Sequence, residues 1–224
     1  MAQMQEDSVV VAETAARKSP AKTAAIALGW CVLIALTVLY DPQLKTWYDR
    51  HTEGVPVLYA AAYLATHFIA IHVLALVVLL VCFFDPRVRW RLFTNTLWVM
   101  GAQGLLIEVL KHAFGRLRPD HSLGVTIFCG PVLGDGEFGF PSGHATASFA
   151  LAAIFSAYYP RGRWFFIAGA ALISLARVQM GRHFFGDTVA GAVVGWYLAS
   201  LLLPLLWRRH RARDIARQER QLAV

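Results

Sequence analysis

RWFFIAGAALISLARVQMGRHFFGDTVAGAVVGWYLASLLLPLLW, residues 163–207, decides the fold. From Trp164 to Ala176, and again from Thr188 to Trp207, there is no Asp, Glu, Lys or Arg. Arg177, Arg182, His183 and Asp187 stand between the two runs. A membrane-crossing helix needs about 20 mostly apolar residues. The stretch therefore reads as two such helices meeting at a polar turn. The same alternation runs through the chain and predicts spans at 24–40, 64–84, 92–111, 143–160, 163–181 and 188–207. Residues 55–63 are too apolar for a plain loop and read either as a short interfacial helix or as an extension of the second span. The expected fold class is all-α, a polytopic membrane protein built as a six-transmembrane-helix bundle.

The composition agrees. Of the 224 residues, 57% are hydrophobic, against about 45–50% in soluble domains. The chain divides into a polar tail (1–22), the six-span domain (23–207) and a basic tail (208–224). The net charge of +7 would suit a nucleic-acid partner, but its distribution follows a different rule. Arg17, Lys18 and Lys22 precede span one; Arg87, Arg89 and Arg91 separate spans two and three; Arg161 and Arg163 separate spans four and five; Arg208, Arg209, Arg211, Arg213, Arg217 and Arg220 follow span six. These 14 of the 21 Lys and Arg fall on one side of the membrane. By the positive-inside rule that side is the cytoplasm, so both termini are expected there. No nucleic-acid partner is expected, because no aromatic residues interleave the tail arginines. The tail reads as a helix-prone anchor beside anionic headgroups. Cys31, Cys82 and Cys129 are too scattered for a disulfide framework or a zinc site.

Three polar clusters then share the opposite side. Charges at membrane depth are expensive and usually functional. The first is KHAFGRLRP, Lys111 to Pro119. Lys111 and Arg118 lie seven apart and share a face if the helix persists. The second, FPSGHA, Phe140 to Ala145, opens span four. Ser142 is a plausible cap, Gly143 admits a ligand close to the backbone, and the helix start favours an anion beside His144. The third, ARVQMGRHFFGD, Ala176 to Asp187, places His183 four residues before Asp187. A carboxylate there would fix one imidazole nitrogen and free the other as a nucleophile. Taken singly, each cluster also fits an ordinary structural role: snorkelling cations, a capped helix, a salt bridge of Asp187 with Arg182 or His183. Glu108 is placed to pair with Lys111. His67 and His72 read as packing residues. His112, Arg116, Asp120 and Arg182 are within reach of a headgroup, and the loop 121–140 reads as a lid.

Together the clusters spell K-x6-R-P, P-S-G-H and R-x5-H-x3-D. In this the chain resembles the type 2 phosphatidic acid phosphatases, the lipid phosphate phosphatases. Lys111, Arg118 and Pro119 match the first motif, Pro141 to His144 the second, and Arg177, His183 and Asp187 the third. One position departs: the family's third motif usually begins Ser-Arg, and here it is Ala176-Arg177. The resemblance implies metal-independent hydrolysis of a phosphate monoester or diphosphate on a membrane lipid, with no cofactor. The substrates implied are phosphatidic acid, phosphatidylglycerol phosphate, undecaprenyl diphosphate or lipid A 1-phosphate. It implies His183 as the nucleophile, Asp187 as its orienting carboxylate and His144 as the acid. Lys111, Arg118, Arg177, Ser142 and Gly143 are the expected phosphate binders. The site is expected at the periplasmic face of a bacterial inner membrane. The alternatives are a lipid phosphotransferase using the same phosphohistidine, and a non-catalytic lipid-binding membrane protein. A vanadium haloperoxidase shares these residue types, but six spans argue against it.

Overall fold

The computed structural model describes residues 20–52, 55–64, 66, 89–122, 126–133 and 137–222. The predicted second span, with His67 and His72, lies outside the described residues apart from Leu64 and Thr66. The described helices are α1 (Pro20–Thr52), α2 (Pro56–Leu64), α3 (Arg89–Phe114), α4 (Gly143–Tyr158), α5 (Arg163–Gln179) and α6 (Phe185–Leu222). Residues 56–64 are thus helical, as both readings required. Among the described residues, extended structure is limited to isolated bridges.

The architecture is all-helical, but the six-span count is not carried over. Two described helices, Lys22–Thr52 and Phe185–Ala212, are long and apolar enough to cross a membrane. Both overrun their predicted spans. α1 reaches Asp41 after about 21 residues, or roughly 32 Å at 1.5 Å per residue, which matches one hydrocarbon core; its last turns, with Lys45 and Asp49, continue beyond. α6 runs unbroken through Pro204 into the basic tail, so that tail is helical. The outer surface is studded with exposed apolar side chains: Leu28, Leu36 and Leu39 on α1, Leu97, Trp98 and Leu105 on α3, Trp164, Phe165 and Leu172 on α5. Such a surface suits hydrocarbon rather than water.

The core lies between α3, α4 and α6. Leu92 and Val99 meet Leu151, Ile154 and Phe155 of α4 and Ala199 and Leu203 of α6. Where lipid surrounds a bundle, apolar burial drives helix association little, and close backbone packing takes over. The α4–α6 seam is built that way. Gly191 and Gly195 are four apart on α6, and a Cβ on Gly195 would lie 2.1 Å from the Thr146 carbonyl oxygen of α4. One on Gly191 would lie 2.6 Å from the Ser142 carbonyl oxygen.

The bundle has two distinct polar ends. At one, Tyr158 Oη accepts from Asn95 Nδ2 at 2.8 Å and Trp207 Nε1 at 3.3 Å, while His210 sits 3.1 Å from Asn95 Oδ1. The start of α3, the end of α4 and the late part of α6 meet there. At the other end lie the loop after α3, the start of α4 and the α5–α6 turn, and these carry the three clusters.

Candidate active site

His183 follows the end of α5. The helix stops at Gln179, Gly181 turns the chain with φ +67°, and α6 begins at Phe185. The imidazole is buried. Its Nδ1 lies 2.9 Å from the carbonyl oxygen of Gly139 and 3.5 Å from Asp187 Oδ2. Both neighbours are acceptors, so Nδ1 carries the proton and Nε2 keeps its lone pair. Burial holds the imidazole below its usual value, since a buried cation is poorly solvated. Asp187 opposes that shift, and the positive charges of Arg177 and Arg118 add to it. The neutral form, the nucleophilic one, prevails.

The sequence reading has Asp187 alone orient His183, but the shorter contact belongs to Gly139. A Cβ on Gly139 would lie 3.1 Å from Asp187 Oδ2 and 3.4 Å from Arg118 Cγ. A bare backbone is needed there for the carbonyl to reach the ring. Asp187 instead serves several partners. Its Oδ2 accepts from the Phe184 N–H at 2.8 Å, and its Oδ1 from Arg116 Nη1 at 2.5 Å. Of the two expected partners, His183 keeps its 3.5 Å contact with Asp187, while the closest cation is Arg116 and not Arg182. Arg182 pairs with Asp120 at 3.0 Å.

Arg116 is not at a headgroup. It is fully buried, donates through Nη2 to Asp41 Oδ2 at 2.7 Å, and lies over the rings of Phe184, Phe128 and Phe140. Sequence reasoning passed over Asp41. Its signal was present: a carboxylate closing an otherwise uncharged run from Thr23 to Tyr40.

Lys111 and Arg118 do not share a helix face. α3 ends at Phe114, and Gly115 (φ +56°) reverses the chain. A Cβ on Gly115 would lie 2.6 Å from the Gly130 nitrogen. Arg118 therefore sits in a loop, where it pairs with Glu137 at 2.6 Å. Lys111 stays on α3 and pairs with Glu108 at 2.8 Å, as its spacing predicts. Arg177, buried in the last turn of α5, feels the charges of Arg118 and Arg182. Arg118 and Arg182 are partly exposed and already face Glu137 and Asp120, but three like charges gathered at the buried Arg177 still favour an anion.

Ser142 caps α4, with Oγ accepting from the Ala145 N–H at 3.5 Å. Its own N–H donates to the Asp187 carbonyl at 2.9 Å, so that donor serves the fold and not a ligand. Gly143 and His144 line a cavity of about 330 Å³ with the polar Lys111, Glu108, Gln103 and Ser148 and the apolar Met100, Ile107, Ala147 and Ile173. A wall that mixes charged and apolar side chains suits a molecule with a charged head and a hydrocarbon body.

A model of the PAP2 superfamily matches residues 92–211. Lipid A 1-phosphatase of Rhizobium etli is 41% identical over 122 residues, covering 53% of this chain and 50% of that protein. Phosphatidylglycerophosphatase B of Bacillus subtilis is 30% identical over 117 residues, covering 47% and 54%. The chain thus spans about half the length of these curated relatives. The crystal structure of a transmembrane PAP2 type phosphatidylglycerolphosphate phosphatase from Bacillus subtilis has a similar fold. Its TM-score is 0.56 at 22% identity, over 79% of this chain and 92% of that one.

Proposed function

The chain belongs to the PAP2 superfamily, and on that premise we propose that it removes a phosphate from a membrane lipid through a phosphohistidine. His183 Nε2 attacks phosphorus; an N–P bond forms, the bond from phosphorus to the lipid oxygen breaks, and His144 gives that oxygen its proton. Water then attacks the phosphohistidine, His144 takes the water's proton, and inorganic phosphate leaves with His183 restored. Lys111, Arg118 and Arg177 neutralise the phosphoryl oxygens in both steps. Gly143 lets the phosphate approach the start of α4, and Ser142 holds that start in place. The site faces the periplasm, opposite the cationic ends of the helices.

One observation carries the reading. The Nδ1–H of His183 is held by the Gly139 carbonyl at 2.9 Å, so the lone pair of Nε2 is free beside Arg118 and Arg177. The cavity beside Lys111 and His144 supports a lipid as the substrate. The relatives' names favour lipid A 1-phosphate as the first lipid to test, with phosphatidylglycerol phosphate next.

The test is phosphate release by purified protein in detergent, with EDTA present. The panel is lipid A, phosphatidylglycerol phosphate, phosphatidic acid and undecaprenyl diphosphate. Release from at least one lipid is expected, with loss of essentially all turnover in His183→Ala. Retained turnover in that variant removes His183 as nucleophile. Inhibition by EDTA that Mg²⁺ reverses overturns the metal-independent mechanism.

A further inference from the structure

Asp41 has no part in the chemistry above and lies outside the residues that the family model matches. It is nonetheless fully buried at the site end of α1. Its Oδ2 accepts from Arg116 at 2.7 Å and its Oδ1 from the Gly186 N–H at 2.8 Å. Arg116 in turn reaches Asp187, so one guanidinium bridges a carboxylate on the first helix to the carboxylate beside His183. We propose that Asp41 and Arg116 are positioning residues: they hold Asp187 at the distance and charge that His183 needs for the reaction proposed above, on which this inference rests.

The physical case begins with cost. Two carboxylates and a guanidinium stripped of water are poor stabilisers, and apolar residues of the same volume would often hold a bundle as well or better. Fixing the position of a charge is a different task, and a rigid two-pronged fork suits it. Here one prong is on Asp187 and the other on Asp41. Phe184, the residue after His183, lies 4.5 Å beneath the guanidinium. Gly186 admits Asp41 because a Cβ there would lie 2.5 Å from Asp41 Oδ2. α1 therefore completes the site without touching the substrate.

Charge arithmetic separates positioning from mere anchorage. Two carboxylates and one guanidinium sum to −1. Asp41→Asn makes the sum zero and leaves the whole guanidinium charge to Asp187, which weakens the field that Asp187 exerts on His183. The other charges acting on that ring, Arg177 of α5 and Arg118 of the loop, are unchanged. In Asp41→Asn we expect kcat to fall roughly 10–100-fold, the usual effect of removing an outer partner, with KM within about twofold. The titration midpoint of His183, followed by NMR and identified by its loss in His183→Ala, should move down. Asp41→Asn with Arg116→Gln restores −1; its midpoint should return towards the wild-type value while kcat stays low, because the fork is gone.

A folded Asp41→Asn protein with wild-type kcat and midpoint overturns the proposal. So does a fall in kcat and melting temperature with the midpoint unmoved, which marks a structural anchor. If Asp41→Asn does not fold, Asp41→Glu keeps the charge and displaces the carboxylate; lowered kcat supports positioning and unchanged kcat overturns it. A wild-type protein that releases no phosphate from any lipid sinks the functional reading instead, and the titration then decides the role of Asp41 by itself.

Discussion

At the level of single residues, His183 depends on a carbonyl more than on a charge. Where a carboxylate alone selects the imidazole tautomer, replacing it with an amide costs about 10⁴-fold in rate. Here the Gly139 carbonyl lies closer than Asp187 and keeps the proton on Nδ1 by itself. Asp187→Asn should therefore cost less, about 10²–10³-fold in kcat, a loss of charge rather than of tautomer. The same variant should shift the acid limb of the pH profile downwards, because Asp187 is what opposes the lowering by burial. In the wild type that limb lies below the usual imidazole value of about 6.5: activity is present above it and lost as pH falls through it. Stability follows the same sign, since below about 6.5 the unfolded chain binds a proton that buried His183 refuses. A pH–rate profile of both proteins checks this; an acid limb above 6.5 contradicts it. His183 and Asp187 were legible from spacing alone. Gly139 was not, because a carbonyl has no sequence signature, and the inward role of Arg116 was not, because only the fold shows which of two nearby arginines turns inward.

Among the elements, the α4–α6 seam sets the geometry on which the site rests. Gly191 faces the Ser142 carbonyl and Gly195 the Thr146 carbonyl. Gly195→Leu forces the two helices apart at its Thr146 contact. Overpacking of this kind typically costs about 1–3 kcal/mol, and with backbone as the obstacle we expect the upper part of that range. A lowered melting temperature in detergent, beside an unaffected Gly29→Leu control on open α1, is the expected result; equal melting temperatures refute the seam. Among the described residues, apolar run lengths told where helices lie, since hydropathy is a local property. They did not tell which helices touch. The small residues of a seam look like any other small residues until a partner backbone is opposite them.

For the whole molecule, the two polar ends differ in charge, and the proposed membrane sides follow from that difference. The Asn95–Tyr158–His210 end adjoins Arg91, Arg161, Arg163 and the arginines of late α6; the His183 end holds the clusters. Reporter fusions at both termini should read cytoplasmic, and one in the loop 126–133 periplasmic. Termini on opposite sides would break the even-span topology. Which charged groups gather at each end of the bundle was legible in the sequence, because cation-rich segments alternate with the polar clusters along the chain. How the first helix joins the site was not, because Asp41 and Asp187 are separated by most of the chain. The tight seam also divides what can change from what cannot. The proposed reaction lies beside a seam where glycine meets carbonyl and no room is left for a new side chain. The cavity along α3, between Met100 and Lys111, is walled largely by side chains, whose size and shape can differ without moving a backbone. Under the proposed function, a lineage can thus alter which lipid it accepts by redrawing one wall, while the reacting groups stay in their inherited places.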